Sequence, residues 1–134
     1  MRSRNVRASK AGDDGAMRIL AAVLVALALT APAYAESGMT FYMKNETGRA
    51  MVLELHGRES GRVWPGDSQV YLLEHGERKS VLIDCHEGEN ICYGAWVYGN
   101  DRISYGVGPD GDRRCRDCCS VCVAKTTTTI DMPQ

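Results

Sequence analysis

Beyond residue 36 the chain shows no helical periodicity, and short apolar runs separated by turn residues recur about every ten positions. That pattern predicts an all-β fold, a small antiparallel β-sandwich or barrel of about seven strands. Thr40–Lys44 makes a first strand, and Asn45-Glu46-Thr47-Gly48 a hairpin turn, because Asn and Gly tolerate the positive φ of tight turns. Met51, Leu53 and Leu55 then alternate with Val52, Glu54 and His56, so the first set faces a core. Arg62–Trp64 is a short strand stopped by Pro65-Gly66, with Pro65 marking an edge or a strand end, and Ser68–Leu73 is the next strand. In Lys79–Cys85 the side chains of Val81, Ile83 and Cys85 share one side, and His86–Asn90 turns the chain. Ile91–Tyr98 carries Cys92, Gly94, Trp96 and Tyr98 on one face and Ile91, Tyr93, Ala95 and Val97 on the other. Gly99–Asp101 turns back into Ile103–Val107, Gly108–Asp112 is a loop, and the β-branched Thr126–Met132 is a final strand.

A different pattern precedes this region. The eleven apolar residues Ile19–Leu29 follow Arg18 and are too short to span a bilayer, which takes about 18. Thr30–Ala35 comes next, with a helix-breaking Pro32 and small residues at Ala33 and Ala35 in the arrangement that signal peptidase accepts. Residues 1–35 therefore read as a secretory signal peptide, with Met17 as an alternative start, and 36–134 as one β-rich domain. No Cys near the cleavage point offers a site for lipid attachment, so the expected product is exported, periplasmic or extracellular, without a stable membrane anchor.

Removing 35 of 134 residues leaves 99 with 11 Lys+Arg and 15 Asp+Glu, a formal charge of −4. That balance provides no basic footprint for nucleic acid. A chain this short buries only about 60–65 % of its unfolded surface, so cross-links would help it. All six Cys lie in this part, an even number suited to a disulfide framework in an oxidising compartment.

Cys85 and Cys92 bracket a six-residue loop, and if their strands pair as a hairpin the two sulfurs lie within bridging reach. A Cys85–Cys92 bridge is expected, stabilising by roughly 2.5 kcal/mol in the chain-entropy model. Cys115, Cys118, Cys119 and Cys122 form C-x2-C-C-x2-C. The first reading is two local disulfides, with a Cys118–Cys119 bond disfavoured because it strains the peptide between neighbours. A second is metal binding by four thiolates, to zinc or Cu(I), although four ligands within eight residues crowd one tetrahedron. The third is thiol redox chemistry, which lacks the helix N-terminus that activates thioredoxin-like thiols. No cofactor and no metal site is expected.

Other candidate chemistry is sparse. His56, His75 and His86 lack metal-pair spacing and read as surface residues. No Ser-His-Asp order, nucleophile elbow or H-E-x-x-H motif occurs, so no catalytic residue is assigned. Asp110-Gly111-Asp112 lacks the third oxygen ligand and the closing Glu of a calcium loop. Asn45-Glu46-Thr47 matches a glycosylation sequon and, equally, an ordinary turn. The nearest thing to a ligand surface is Trp64, Tyr93, Trp96, Tyr98 and Tyr105, interleaved with Gly94, Gly99 and Gly106. Such π-faces can stack on sugars or seat a peptide, although in so small a domain most must fill the core. The expectation is a non-enzymatic binding or structural module for a protein, peptide or glycan, with the metal or thiol-redox protein as its rival. Processing provides a first test: N-terminal sequencing of the exported protein should begin at Glu36, and a chain that keeps Leu20–Leu29 and partitions with membranes would contradict it.

Overall fold

The computed structural model describes residues 37–133, so the expected signal peptide, residues 1–35, lies outside the described residues. Among these the fold is all-β. Nine strands run β1 (Ser37–Asn45), β2 (Met51–Gly57), β3 (Val63–Trp64), β4 (Tyr71–Leu73), β5 (Arg78–Cys85), β6 (Asn90–Val97), β7 (Asn100–Gly106), β8 (Cys119–Val121) and β9 (Thr127–Met132). The one strand with no counterpart among those read from the sequence is β8, whose Cys-rich segment carries no strand pattern.

Two open sheets enclose one core. The first has the order β5-β1-β9; in the second β2 and β6 pair centrally, β3 and β4 share the free side of β2, and β7 and β8 share that of β6. Neither sheet closes on itself, which removes the barrel alternative. The expected all-antiparallel pairing also fails at one place: β9 lies parallel to β1, with Tyr42 beside Thr129. A parallel neighbour needs a long connection, and everything between β1 and β9 provides it.

Period-two alternation builds the core. Met39, Phe41 and Met43 of β1, Ile83 of β5 and Ile130 of β9 face Met51, Leu53 and Leu55 of β2, Leu73 of β4 and Ile91 and Ala95 of β6. Full burial of each large apolar side chain contributes about 1.5–3 kcal/mol. β3 ends at Trp64 immediately before Pro65 and pairs with β2 alone, as an edge strand should.

Because the sheets share a core, the chain must cross between them, and it does so at β1–β2, β4–β5, β5–β6 and β8–β9. The expected hairpin at Asn45–Gly48 is therefore a corner. Asn45 is wholly buried there. Its Nδ2 donates to the carbonyls of Arg49 (2.7 Å), Leu73 (2.9 Å) and Glu74 (3.1 Å), and its Oδ1 accepts from the Thr47 amide and hydroxyl. An amide used in this way is closed to glycosylation in the folded chain, so the turn reading holds over the sequon.

The cysteines correct the sequence reading most. They pair as Cys85–Cys122, Cys92–Cys119 and Cys115–Cys118. The Cys85–Cys92 bridge does not form, because β5 and β6 belong to different sheets: Cys85 faces the shared core, while Cys92 faces outward on the six-stranded sheet. Only one of the two expected local bridges in the C-terminal cluster exists, Cys115–Cys118. Cys122 instead ties the two sheets together, and Cys119 lies directly opposite Cys92 across the β6–β8 pair. The C-terminal segment is thus the staple of the domain. Cys85–Cys122 closes a span of 37 residues and Cys115–Cys118 a span of 3, about 4 against about 2 kcal/mol in the chain-entropy model. Replacing Cys85 and Cys122 together with Ala should lower stability by about 2–5 kcal/mol. Denaturant midpoints check this, and a loss no larger than that of the Cys115, Cys118 double mutant would contradict it.

Candidate functional site

Chemistry-bearing side chains gather on the outer face of the six-stranded sheet, where β2 presents Val52, Glu54 and His56 and β6 presents Cys92, Gly94 and Trp96. Half of this face is covered. The segment from Val107 to Cys118 folds over it, and Val107, Cys92 and Cys118 form a second small buried cluster. Backbone lies directly on backbone here: a Cβ at position 94 would land on the Gly108 carbonyl, so residue 94 must be Gly. The segment is tied down at several points. Tyr93 donates its amide to the Cys118 carbonyl (2.9 Å), Val107 donates its amide to the Tyr93 carbonyl (2.9 Å), and Arg58 Nη1 donates to the Gly111 carbonyl (2.6 Å). Arg113 Nη1 also reaches the Ser104 hydroxyl.

Beneath the segment sit Glu54 and His56, two residues apart and therefore on one face of β2. Their side chains are 18 % and 13 % exposed, and Glu54 Oε2 is 3.6 Å from His56 Nε2, beyond hydrogen-bond reach. Nε2 is buried without a hydrogen-bond partner, and the ring edge at Nδ1 packs against Gly111. The expectation that His56 is a surface residue is thereby corrected, for a segment more than fifty positions away in sequence covers it. Burial, and secondarily the positive charge of Arg58, hold the imidazole below the ordinary histidine range. Burial pushes the Glu54 carboxyl up. Each group is thus biased toward its neutral form. Both groups are therefore packed beneath the covering segment.

The other half of the face carries a mostly apolar row. Leu72, Val52, Trp96 and Ser104 are successive cross-strand neighbours on β4, β2, β6 and β7. Val52 is buried, Trp96 half-buried and Leu72 exposed. Of the five aromatic residues anticipated as a surface, Trp96 lies on this floor and Tyr98 is 68 % exposed in the turn after β6. The other three do not join them. Trp64 is buried in the main core, donating Nε1 to Asp84 Oδ1 at 3.3 Å, with the Arg62 guanidinium 5.0 Å from its ring. Tyr93 and Tyr105 pack against the same core from the inner face of their strands.

Among the described residues no group of three or more His, Cys, Asp or Glu is disposed to hold a metal ion. Comparison with protein-family models, with curated proteins and with solved structures finds no match to this chain. The site must therefore be read from its own geometry.

Sequence reasoning missed the Glu54–His56 pair. Its signal was present, two ionisable residues on alternate positions of a strand whose other face is all apolar, but nothing local shows that a distant loop covers them.

The two groups generate pH dependences of opposite sign. A histidine that binds its proton less readily when folded leaves more protons on the unfolded chain, so stability rises with pH. The His56 contribution is complete above the unfolded value of 6.5 and is lost as pH falls through the lower folded value. Glu54, shifted upward, runs the opposite way: its contribution is present below 4.5 and is lost as pH rises through the folded value. Through His56, lowering pH from about 7.5 to about 6 should reduce the denaturant midpoint. In His56→Gln the slope over that interval should be smaller, and an unchanged slope would show that His56 is not its source.

Proposed function

We propose that this protein is an exported, disulfide-rich β-sandwich that acts without catalysis, as a binding or structural module, and that the open floor around Trp96 is its ligand surface. The observation that carries the reading is the row Leu72–Val52–Trp96–Ser104, a half-open apolar strip bounded on one side by the tethered Val107–Cys118 segment. Indole presents a large, rigid face at low entropy cost, and Arg113 at the Ser104 end of the strip sets a guanidinium beside that stacking area. A protein, peptide or glycan suits such a surface. A ligand with a strongly negative backbone does not suit the −4 charge of residues 36–134.

Two further features support the reading. All six cysteines stand in disulfides, which leaves no thiolate free to hold a metal. Disulfides also accord with an oxidising, exported setting. The ionisable pair nearest the floor lies packed beneath a loop, which suits packing better than proton transfer to a substrate.

Intact-mass measurement with and without reductant counts free thiols, and elemental analysis counts metal. Six oxidised cysteines without metal are expected, and stoichiometric zinc or copper in the isolated protein overturns the assignment. The surface itself is tested by probing peptide and glycan arrays with the protein and with Trp96→Ala. Ligands captured by the parent should be lost by the variant at an unchanged denaturant midpoint, and equal capture by both places the surface elsewhere.

A further inference from the structure

We propose that the Cys115–Cys118 bridge is a thiol–disulfide exchange site, entered at Cys115 by the thiolate of an external reductant, while the other two bridges hold the fold. The inference does not depend on the binding reading, and it starts from the unequal surroundings of the three bridges.

Exchange requires a thiolate to reach a disulfide sulfur. Cys85 and Cys122 are 2 % and 0 % exposed, so their bridge is closed to solvent. Cys115 is exposed, while its partner Cys118 is buried against Cys92 and Val107. Access therefore exists from one side and to one named sulfur. Cys119 is exposed as well, and charge separates the two: exposed Arg114 and Arg116 flank Cys115, whereas Cys119 stands between Cys118 and Ser120. Guanidinium groups beside Cys115 favour both the approach of an anionic thiolate and the thiolate left on Cys115 afterwards.

Consequences for the fold differ in the same direction. Cys92–Cys119 ties β8 to β6, and Cys85–Cys122 ties one sheet to the other. Cys115–Cys118 joins residues three apart, and Cys118 stays anchored after reduction because its carbonyl accepts from Tyr93 and its side chain remains in the small cluster. This bridge can open and close without releasing an element of structure.

The step balances as follows. The reductant thiolate attacks Cys115 Sγ, the Cys115–Cys118 bond breaks, and its electron pair leaves on Cys118 Sγ, which takes a proton from water. A second thiolate of the reductant attacks the mixed disulfide at the reductant's sulfur, forming the reductant disulfide and releasing Cys115 as a thiolate, which is then protonated. Two electrons and two protons have passed to the protein. Cys119 Sγ lies 3.9 Å from Cys118 Sγ, but attack there would bond chain neighbours and strain the peptide between them, so exchange does not pass on to Cys119.

The shared chemistry is a thiolate, supplied either by a small thiol or by a protein dithiol, and two arms separate these sources. The fully oxidised protein is treated with limiting reduced glutathione in one arm and with a reduced Cys-x-x-Cys protein in the other. Both are quenched in acid, differentially alkylated and mapped by peptide mass. Thiols should appear at Cys115 and Cys118 about tenfold or more faster than at Cys85 and Cys122, with the glutathione adduct on Cys115, and the faster arm identifies the source. Arg114→Ser with Arg116→Ser should slow that opening several-fold. A Cys115→Ser, Cys118→Ser variant should keep the parent's far-ultraviolet spectrum and cooperative unfolding, while taking up no electrons under the same conditions. First labelling at Cys92 or Cys119, an adduct on Cys118, simultaneous opening of all three bridges, or an unfolded serine variant would each overturn the proposal.

Discussion

The fold depends on holding a three-stranded sheet against a six-stranded one while the chain passes repeatedly between them. Each crossing takes backbone out of a ladder, and a buried backbone group without a partner costs about as much as a lost hydrogen bond. The three-stranded sheet is tied at both ends. At the end where Lys44 pairs with Arg78, the side chain of Asn45 reaches across to carbonyls of the opposite sheet and the neighbouring corners. At the other end, where Ser37 pairs with Cys85, the Cys85–Cys122 bridge makes the same connection covalently. An amide at one end and a disulfide at the other replace the larger core that a chain of this size does not have.

From that constraint follows the arrangement on the outer face. Cys122 must lie over the β5–β6 corner, so the chain from β7 has to return across the six-stranded sheet, and Val107–Cys118 does so. Glycines let its backbone approach the sheet, and a small cluster of Val107, Cys92 and Cys118 forms beneath it. Glu54 and His56 are covered by that route and shifted toward neutrality, whereas Trp96 and Leu72 lie beyond it. One covering segment thereby separates a packed polar element from a partly exposed apolar row on a single sheet face.

The alternation of apolar residues made most strands readable: Met51, Leu53 and Leu55 face the core as their spacing implies, as do Val81, Ile83 and Cys85. Where residues serve two purposes the pattern was silent. Cys119–Val121 forms a strand although its composition suggests a loop, because pairing with β6 and the bridge to Cys92 hold it extended. Local loop length also misled. Six residues between Cys85 and Cys92 look like a hairpin, and in fact they turn a corner between sheets, which points the two side chains to opposite sides of the six-stranded layer.

By itself the sequence determined the class of the fold, the strands with regular alternation and the presence of a cysteine framework, since each follows from the period of side-chain placement or from composition. Tertiary structure alone decided which cysteines are partners, that β9 joins β1 in parallel, that His56 lies under cover and that Trp96 and Tyr98 are separated from Trp64, Tyr93 and Tyr105. The physical reason is common to all four. Periodicity assigns a side chain to a face of its own strand, but whether that face meets the core, a returning loop or water is set by which strands lie beside it, and those neighbours come from distant parts of the chain.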